Sequence, residues 1–379
     1  MSQNYINYYP TYSVLDEIVN RKGYKELNLY IDLKNCMQTT YMEHAVLNIV
    51  ESTIASGRTD TGIFSALLSF LTFHKLYANK RKLKVNTYIY FESGQSFYHL
   101  NIDKKYKFNR KIDNLYGLDR EKREKFYEVL QKNFQLIESV FNKVPNVKVV
   151  RLPYLEADFI PYYLMRNGLV AIGDSIANVI YSNDHDLTQC VTCNDDVHIY
   201  QRIGTTKRIV RKNEIVFREL KDERAKSIGD EYLPLIMAIN GDTGDGIYGV
   251  KGIGPSKICD FFEELNGLIG GSMEELYRRI RSREQIFQGD LSGIRNKYMS
   301  KVVDDELLLK TTSNNVRLIS FELLSRECDD PSSTEMVERV SHIRKIMESD
   351  GVVPSENIYD ALTKIGVWLE SDQLGYLWT

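Results

Sequence analysis

Long apolar runs are missing from this sequence: no stretch of 18 apolar residues occurs, and the first twelve residues are polar and tyrosine-rich. A membrane-spanning helix and a secretory leader are therefore not expected, and the expected compartment is the cytoplasm, away from membranes. Cysteine is sparse, with Cys36, Cys190, Cys193, Cys259 and Cys328 dispersed and odd in number, which argues against a disulfide framework. Cys190 and Cys193 are one close pair, but a tetrahedral zinc site needs two more soft ligands at similar spacing, and none is evident. A dominant charge is lacking too. The 52 acidic and 49 basic residues leave a net charge of −3, which does not advertise a nucleic-acid binder. Internal repeats and low-complexity segments are absent.

What remains is a chain of 379 residues, 43% hydrophobic and 27% charged, the composition of an ordinary globular protein of one large domain or two modest ones. Its charges are segregated, with basic runs at 80–84 (KRKLK), 104–111 (KKYKFNRK) and 207–212 (KRIVRK). The first and third read as solvated faces.

The first half alternates strand-like and helix-like segments, the pattern of an α/β parallel sheet covered on both faces. Strands are expected at 27–32 (LNLYID), 85–91 (VNTYIYF), 147–151 and 178–182 (NVIYS). Helices are expected at 41–56, at 61–77, from an Asp119 N-cap through 141, and at 156–167. Residues 197–210 read as a hairpin turning at Gly204 and Thr205. The composition turns polar near 222–229, and beyond it the sequence reads as helical. The expected organisation is an extension (1–26), an α/β domain (27–225), a helical domain with a helix-hairpin-helix element (226–330) and a helical tail (331–379).

Acids recur at the C-terminal ends of the expected strands or just beyond: Asp32, Glu92, Glu156 with Asp158, and Asp184 with Asp186. In an open α/β sheet that edge is where ligands bind, so the side chains should converge. Asp242 and Asp245 join them from the second half. Eight converging carboxylates repel one another unless hard cations lie among them, and Mg²⁺, with Mn²⁺ as a substitute, suits an all-oxygen donor set. Two such ions favour phosphodiester hydrolysis.

Four residues after Asp245 comes Gly249-Val-Lys251-Gly252-Ile-Gly254, then Pro255, Ser256, Lys257 and a helix. A glycine turn leading into a helix N-terminus can hold a phosphate through backbone N–H groups without reading a base.

The blocks YIDLKN (30–35), YLEADF (154–159), SNDHDLTQ (182–189) and GDTGDGIYGVKGIGPSK (241–257) together resemble the flap-endonuclease family, most closely its phage ribonuclease H and 5′-exonuclease branch. The resemblance covers roughly 27–320. It implies a PIN-like nuclease domain with a helical arch around 104–141, acting on duplex DNA with a 5′ flap or single-stranded 5′ end, or on RNA–DNA hybrid, in replication. YKFNR (106–110) matches the base of that arch, which implies that Lys107 and Arg110 contact the scissile phosphate. The family pattern would give one ion to Asp32, Glu92, Glu156 and Asp158 and the other to Asp184, Asp186 and Asp242, with Asp245 acting through water. Tyr41 is a candidate for stacking on a base. Tyr376 and Trp378 are candidates for a peg into a sliding clamp or single-strand-binding protein, although packing onto the body is the plainer reading. Two departures stand out: Glu92 where the family has Asp, and Phe159 where a further Asp is common. The second favours a rival reading, a DNA binder of the same fold with attenuated activity. A toxin-like ribonuclease is a third, and the glycine turn counts against it.

Overall fold

The computed structural model describes residues 12–38, 62–107, 120–203, 206–212, 214–287, 306–349, 351–364 and 377–378. In chain order the first half contains α1 (Tyr12–Val19), β1 (Glu26–Asp32), α2 (Leu33–Gln38), α3 (Gly62–Arg81), β2 (Lys84–Ser93), α4 (Phe97–Ile102), α5 (Arg120–Phe141), β3 (Val147–Pro153), α6 (Phe159–Arg166), β4 (Ile176–Tyr181), β5 (Val197–Ile203) and β6 (Thr206–Val210). The second half contains α7 (Ile215–Leu220), α8 (Leu233–Asn240), the two-residue strands β7 (Gly241–Asp242) and β8 (Ile247–Tyr248), then α9 (Pro255–Leu268), α10 (Met273–Arg281), α11 (Glu306–Ile319), α12 (Phe321–Asp329), α13 (Thr334–Glu348) and α14 (Ser355–Lys364).

The main sheet runs in the order β3-β2-β1-β4-β5-β6, parallel throughout except for β6, which returns antiparallel to β5. Successive crossovers carry the chain from β1 outward to β3, and it then restarts on the other side of β1 with β4. The winding thus reverses between β1 and β4, and a crevice opens there beyond the strands' carboxyl ends.

The strands are buried on both faces, and their side chains divide by the two-residue period. Leu27, Leu29, Ile31, Ile89, Phe91, Val149, Val179 and Tyr181 enter one cluster with α1, α3 and α5. Tyr30, Tyr88, Tyr90, Val150, Leu152, Ile180 and Ile199 enter the other, which runs on without a break through α6 into Ile236, Phe261, Leu276, Leu324 and Ile343 of the helical half. The division proposed at 226 is thus not marked by a gap in the core.

Several sequence expectations shift. Part of the expected 1–26 extension belongs to the body, since Leu15, Ile18 and Val19 of α1 are buried and Tyr77 Oη donates to Asp16 at 2.7 Å. The helix expected over 156–167 begins at Phe159, because Glu156 to Asp158 form the turn out of β3. The last turns of α5 pack on the body, with Phe134 tilted against Phe91 (4.5 Å between centroids) and Phe141 stacked on Phe64 (5.0 Å). At the other end, Leu377 is buried and Trp378 Nε1 donates to Val353 O at 3.0 Å, so packing onto the body is what the tail shows. The helix expected at 41–56, the Asp119 cap, the Gly204-Thr205 turn and Tyr376 lie outside the described residues. Among the described residues no helix is long and apolar enough to cross a membrane.

Candidate active site

Asp32 ends β1 at the reversal of the winding. Its carboxylate accepts the Asn35 N–H at 2.9 Å and the Ser182 hydroxyl at 3.0 Å, so β1, α2 and the segment after β4 are joined across the crevice. Burial first, then Asp184 and Glu92, push its pKa up to about 7. After β4 the chain is held in a chain of bonds: the Asn183 N–H donates to Asn35 Oδ1 at 2.9 Å, the Asp184 N–H to Ser182 Oγ at 3.1 Å, and the Asp186 N–H to Asp184 Oδ1 at 3.0 Å. His185 turns outward to Glu219 at 2.6 Å, and Asn240 donates to the same carboxylate at 2.8 Å, which ties the loop to α7 and to the end of α8.

Asp158 precedes the first turn of α6 but makes no capping bond. Its Oδ1 is buried without a hydrogen-bond partner, as is Asp186 Oδ1. Burial raises both pKa values well above the usual carboxylate range, with Asp184 as the next cause in each case. A buried acceptor with nothing to accept from is costly, and such atoms call for an unseen partner. From the helical half, Asp242 accepts the N–H groups of Gly244 (2.8 Å) and Asp245 (3.4 Å), which folds the turn that carries Asp245 inward.

These acids form two groups. Asp158, Asp184 and Asp186 each offer one oxygen within 4.8 Å of the others, and so do Asp186, Asp242 and Asp245. Asp186 belongs to both. An all-carboxylate donor set with unpartnered buried oxygens fits hard divalent cations. This grouping differs from the one the resemblance implies: Asp32, Glu92 and Glu156 are in neither group, and Asp158 stands with Asp184 and Asp186.

Lysines hold the two glutamates. Lys107 Nζ pairs with Glu156 at 2.6 Å and with Asp245 at 3.4 Å, while Lys34 Nζ pairs with Glu92. Lys107 is itself fixed, because its backbone takes φ +53° and its N–H donates to Asp245 O at 2.8 Å. Tyr106 Oη reaches Asp245 at 3.3 Å, and its ring stacks on His99 at 4.6 Å. His99 Nε2 bonds Leu318 O at 3.0 Å; a carbonyl only accepts, so Nε2 carries the proton and Nδ1 accepts from Ser96 at 2.6 Å. Burial lowers the His99 pKa to about 3, with Lys107 as the second cause. Arg110 and Tyr41 lie outside the described residues.

The glycine turn connects β8 to α9. Gly249 is required by the protein's own packing, since a Cβ there would fall 2.1 Å from Asn240 O. Gly252, at φ +87°, faces open space. Gly254 precedes α9 without a side-chain cap and Pro255 opens it; Lys251 and Ser256 are exposed, and Lys257 Nζ donates to Gly252 O at 2.9 Å. Phe159 is fully buried, its ring 5.4 Å from Tyr163 and 6.2 Å from Phe321, so its side chain belongs to the core and not to the crevice.

No family model matches the chain, and no curated protein matches it. Among solved structures, the D15 protein of bacteriophage T5, a flap endonuclease co-crystallised with metal ions, superposes with a TM-score of 0.50 at 17% identity, covering 90% of this chain and 99% of that one. The chain has the flap-endonuclease fold. A second structure of that phage enzyme, a product complex with DNA and metal ions, gives a TM-score of 0.49 at 17% identity over 93% of this chain and 99% of the other. The catalytic core of Rad2 in complex with DNA gives 0.37 at 12% identity over 90% and 93%.

Within the flap-endonuclease fold, the acids at the strand ends were readable from sequence, whereas their partners were not. Lys34, Asn35 and Ser182 lie 58, 148 and 150 positions from Glu92, Asn183 and Asp32, respectively. Their local signals are membership of the blocks at 30–35 and 182–189 and a place within three residues of a strand-end acid, neither of which names the partner. His99 and Glu219 gave none.

Proposed function

We propose that this protein is a divalent-metal-dependent 5′ nuclease that hydrolyses phosphodiesters of DNA, or of RNA–DNA hybrid, near a 5′ flap or single-stranded 5′ end, with primer and flap removal in replication as its use. The observation that carries this reading is the pair of three-acid groups sharing Asp186, with Asp158 Oδ1 and Asp186 Oδ1 buried and unpartnered.

Asp158, Asp184 and Asp186 would hold one ion and Asp186, Asp242 and Asp245 the other, Mg²⁺ being favoured by the oxygen donors and Mn²⁺ able to replace it. Ions bound there supply Lewis-acid activation of water and stabilisation of the leaving oxygen. The chain's own contribution is positional. Asn35 and Ser182 fix Asp32, the capping bonds of Asp242 fix Asp245, and Lys107 brings an ammonium to the same crevice, where it would bind the scissile phosphate and favour charge that develops on it. Arg110 has the same proposed role. The turn Gly249 to Gly254 with Ser256 and Lys257 would grip duplex phosphates without sequence preference, and Tyr41 would stack on a base. A sliding clamp or single-strand-binding protein remains a proposed partner.

The alternative, a DNA binder of the same fold with attenuated activity, rests on the carboxylate missing at Phe159, whose ring packs against Tyr163 and Phe321 instead. The test is a 5′-labelled flap duplex incubated with the full chain in Mg²⁺, in Mn²⁺ and in EDTA. Metal-dependent cuts near the flap junction are expected; intact substrate at every metal concentration would reject the reading.

A further inference from the structure

The eight acids of the crevice divide by type. The six aspartates include every member of the two metal-fitting groups, whereas the two glutamates, Glu92 and Glu156, lie outside both groups and each pairs with a lysine, Lys107 reaching Asp245 as well. Glu92 lies near the end of β2, two residues beyond Tyr90, the register partner of Asp32, and Lys34 follows Asp32 by two residues at the start of α2, so neighbouring parallel strands deliver the two charges to one place. The extra methylene of glutamate lets the carboxylate reach α2 from the end of β2. The pair is partly open to solvent: the Lys34 side chain is 38% exposed and that of Glu92 25%. A cation at the rim of an acid-lined crevice does what a strand of phosphates needs, because it offsets the repulsion that the carboxylates would otherwise exert on the backbone.

We propose that Glu92 is not a metal ligand but the anchor of Lys34, and that Lys34 presents its ammonium to a phosphate of the nucleic-acid strand entering the crevice. This inference rests on the nuclease reading and assigns part of its substrate contact. Lys34 and Lys107 are held by different glutamates, so the variant at Glu92 tests Lys34 without removing the partner of Lys107.

The test has two arms on the full chain. In the first, Mn²⁺ binding is measured by calorimetry for the wild type, Glu92→Gln and Asp186→Asn. Glu92→Gln should stay within about threefold of the wild type while Asp186→Asn loses about tenfold or more, the scale of a lost ligand or its support. An equal loss in both makes Glu92 a ligand and overturns the proposal. In the second arm, flap-DNA affinity is measured against salt with Ca²⁺ replacing Mg²⁺. Lys34→Ala and Glu92→Ala should each reduce the slope of log affinity on log salt by about 0.7–0.9, one phosphate contact. The double variant should lose no more than either single, and Lys34→Arg should restore the slope. An unchanged slope in Lys34→Ala overturns the proposal, because a merely structural lysine would not move it. Failure of the wild type to bind flap DNA rejects the nuclease reading instead, and the Mn²⁺ arm still decides Glu92.

Discussion

Asp186 is the residue on which most of the site depends, because it belongs to both acid groups and its buried Oδ1 has no hydrogen-bond partner. Asp186→Asn keeps the shape and removes the charge. It is expected to cut flap cleavage at least about 10³-fold while duplex binding persists, measured by single-turnover cleavage beside a binding isotherm. Lys107→Ala should slow the chemical step by about 10²-fold and weaken duplex affinity far less; equal losses would reduce Lys107 to a grip. A second residue-scale expectation concerns pH. His74 is fully buried, its Nδ1 donating to Phe70 O at 2.8 Å and its Nε2 accepting from Tyr181 Oη at 2.7 Å, and burial lowers its pKa to about 4. A folded pKa below the unfolded value of about 6.5 means that the unfolded chain binds more protons in between. Stability from this group is therefore complete above about pH 6.5 and lost as pH falls towards 4, at up to about 1.4 kcal/mol per pH unit. Urea unfolding at pH 5 and 7 should show a shallower dependence in His74→Leu; an unchanged one would contradict the assignment.

At the scale of elements, the strands were legible because aromatic and β-branched runs have no other good home than a doubly covered sheet. Each of the four parallel strands expected from sequence is present with its ends shifted by no more than two residues, as at β2, expected over 85–91 and found over Lys84–Ser93. The pairing of acids into metal-fitting groups was not legible, since it depends on how the turn after Asp242 folds back, and that is set by a two-residue ladder of β7 on β8. The same limit applies to Phe159: a sequence match marks the acid that is missing there, while the place of the ring, in the core at the start of α6, is seen only in the structure. The glycine turn offers a test at this scale. Gly249→Ala places a methyl against Asn240 O and should cost about 1–3 kcal/mol, whereas Gly252→Ala meets nothing and should cost only the strain of a positive φ, about 1 kcal/mol. Thermal unfolding distinguishes them, and a Gly252 variant less stable than the Gly249 variant would contradict the packing described.

For the whole molecule, the helical half shares a continuous core with one face of the sheet, and α13 returns to β3, where Arg339 donates to Pro153 O at 3.0 Å. That return was invisible in sequence, because helical periodicity shows that a face is buried but not against what. One consequence is that a turn anchored on α8 and acids anchored on β1 and β4 are carried by a common body. Metal binding should then stabilise the entire fold rather than a loop, by a margin that grows with free metal concentration and is lost in Asp186→Asn. The most direct test of the central claim is a crystal of the full chain soaked in Mn²⁺. The account predicts anomalous peaks within both acid groups, each ligated by Asp186; peaks at Glu92 with none at Asp186 would contradict it.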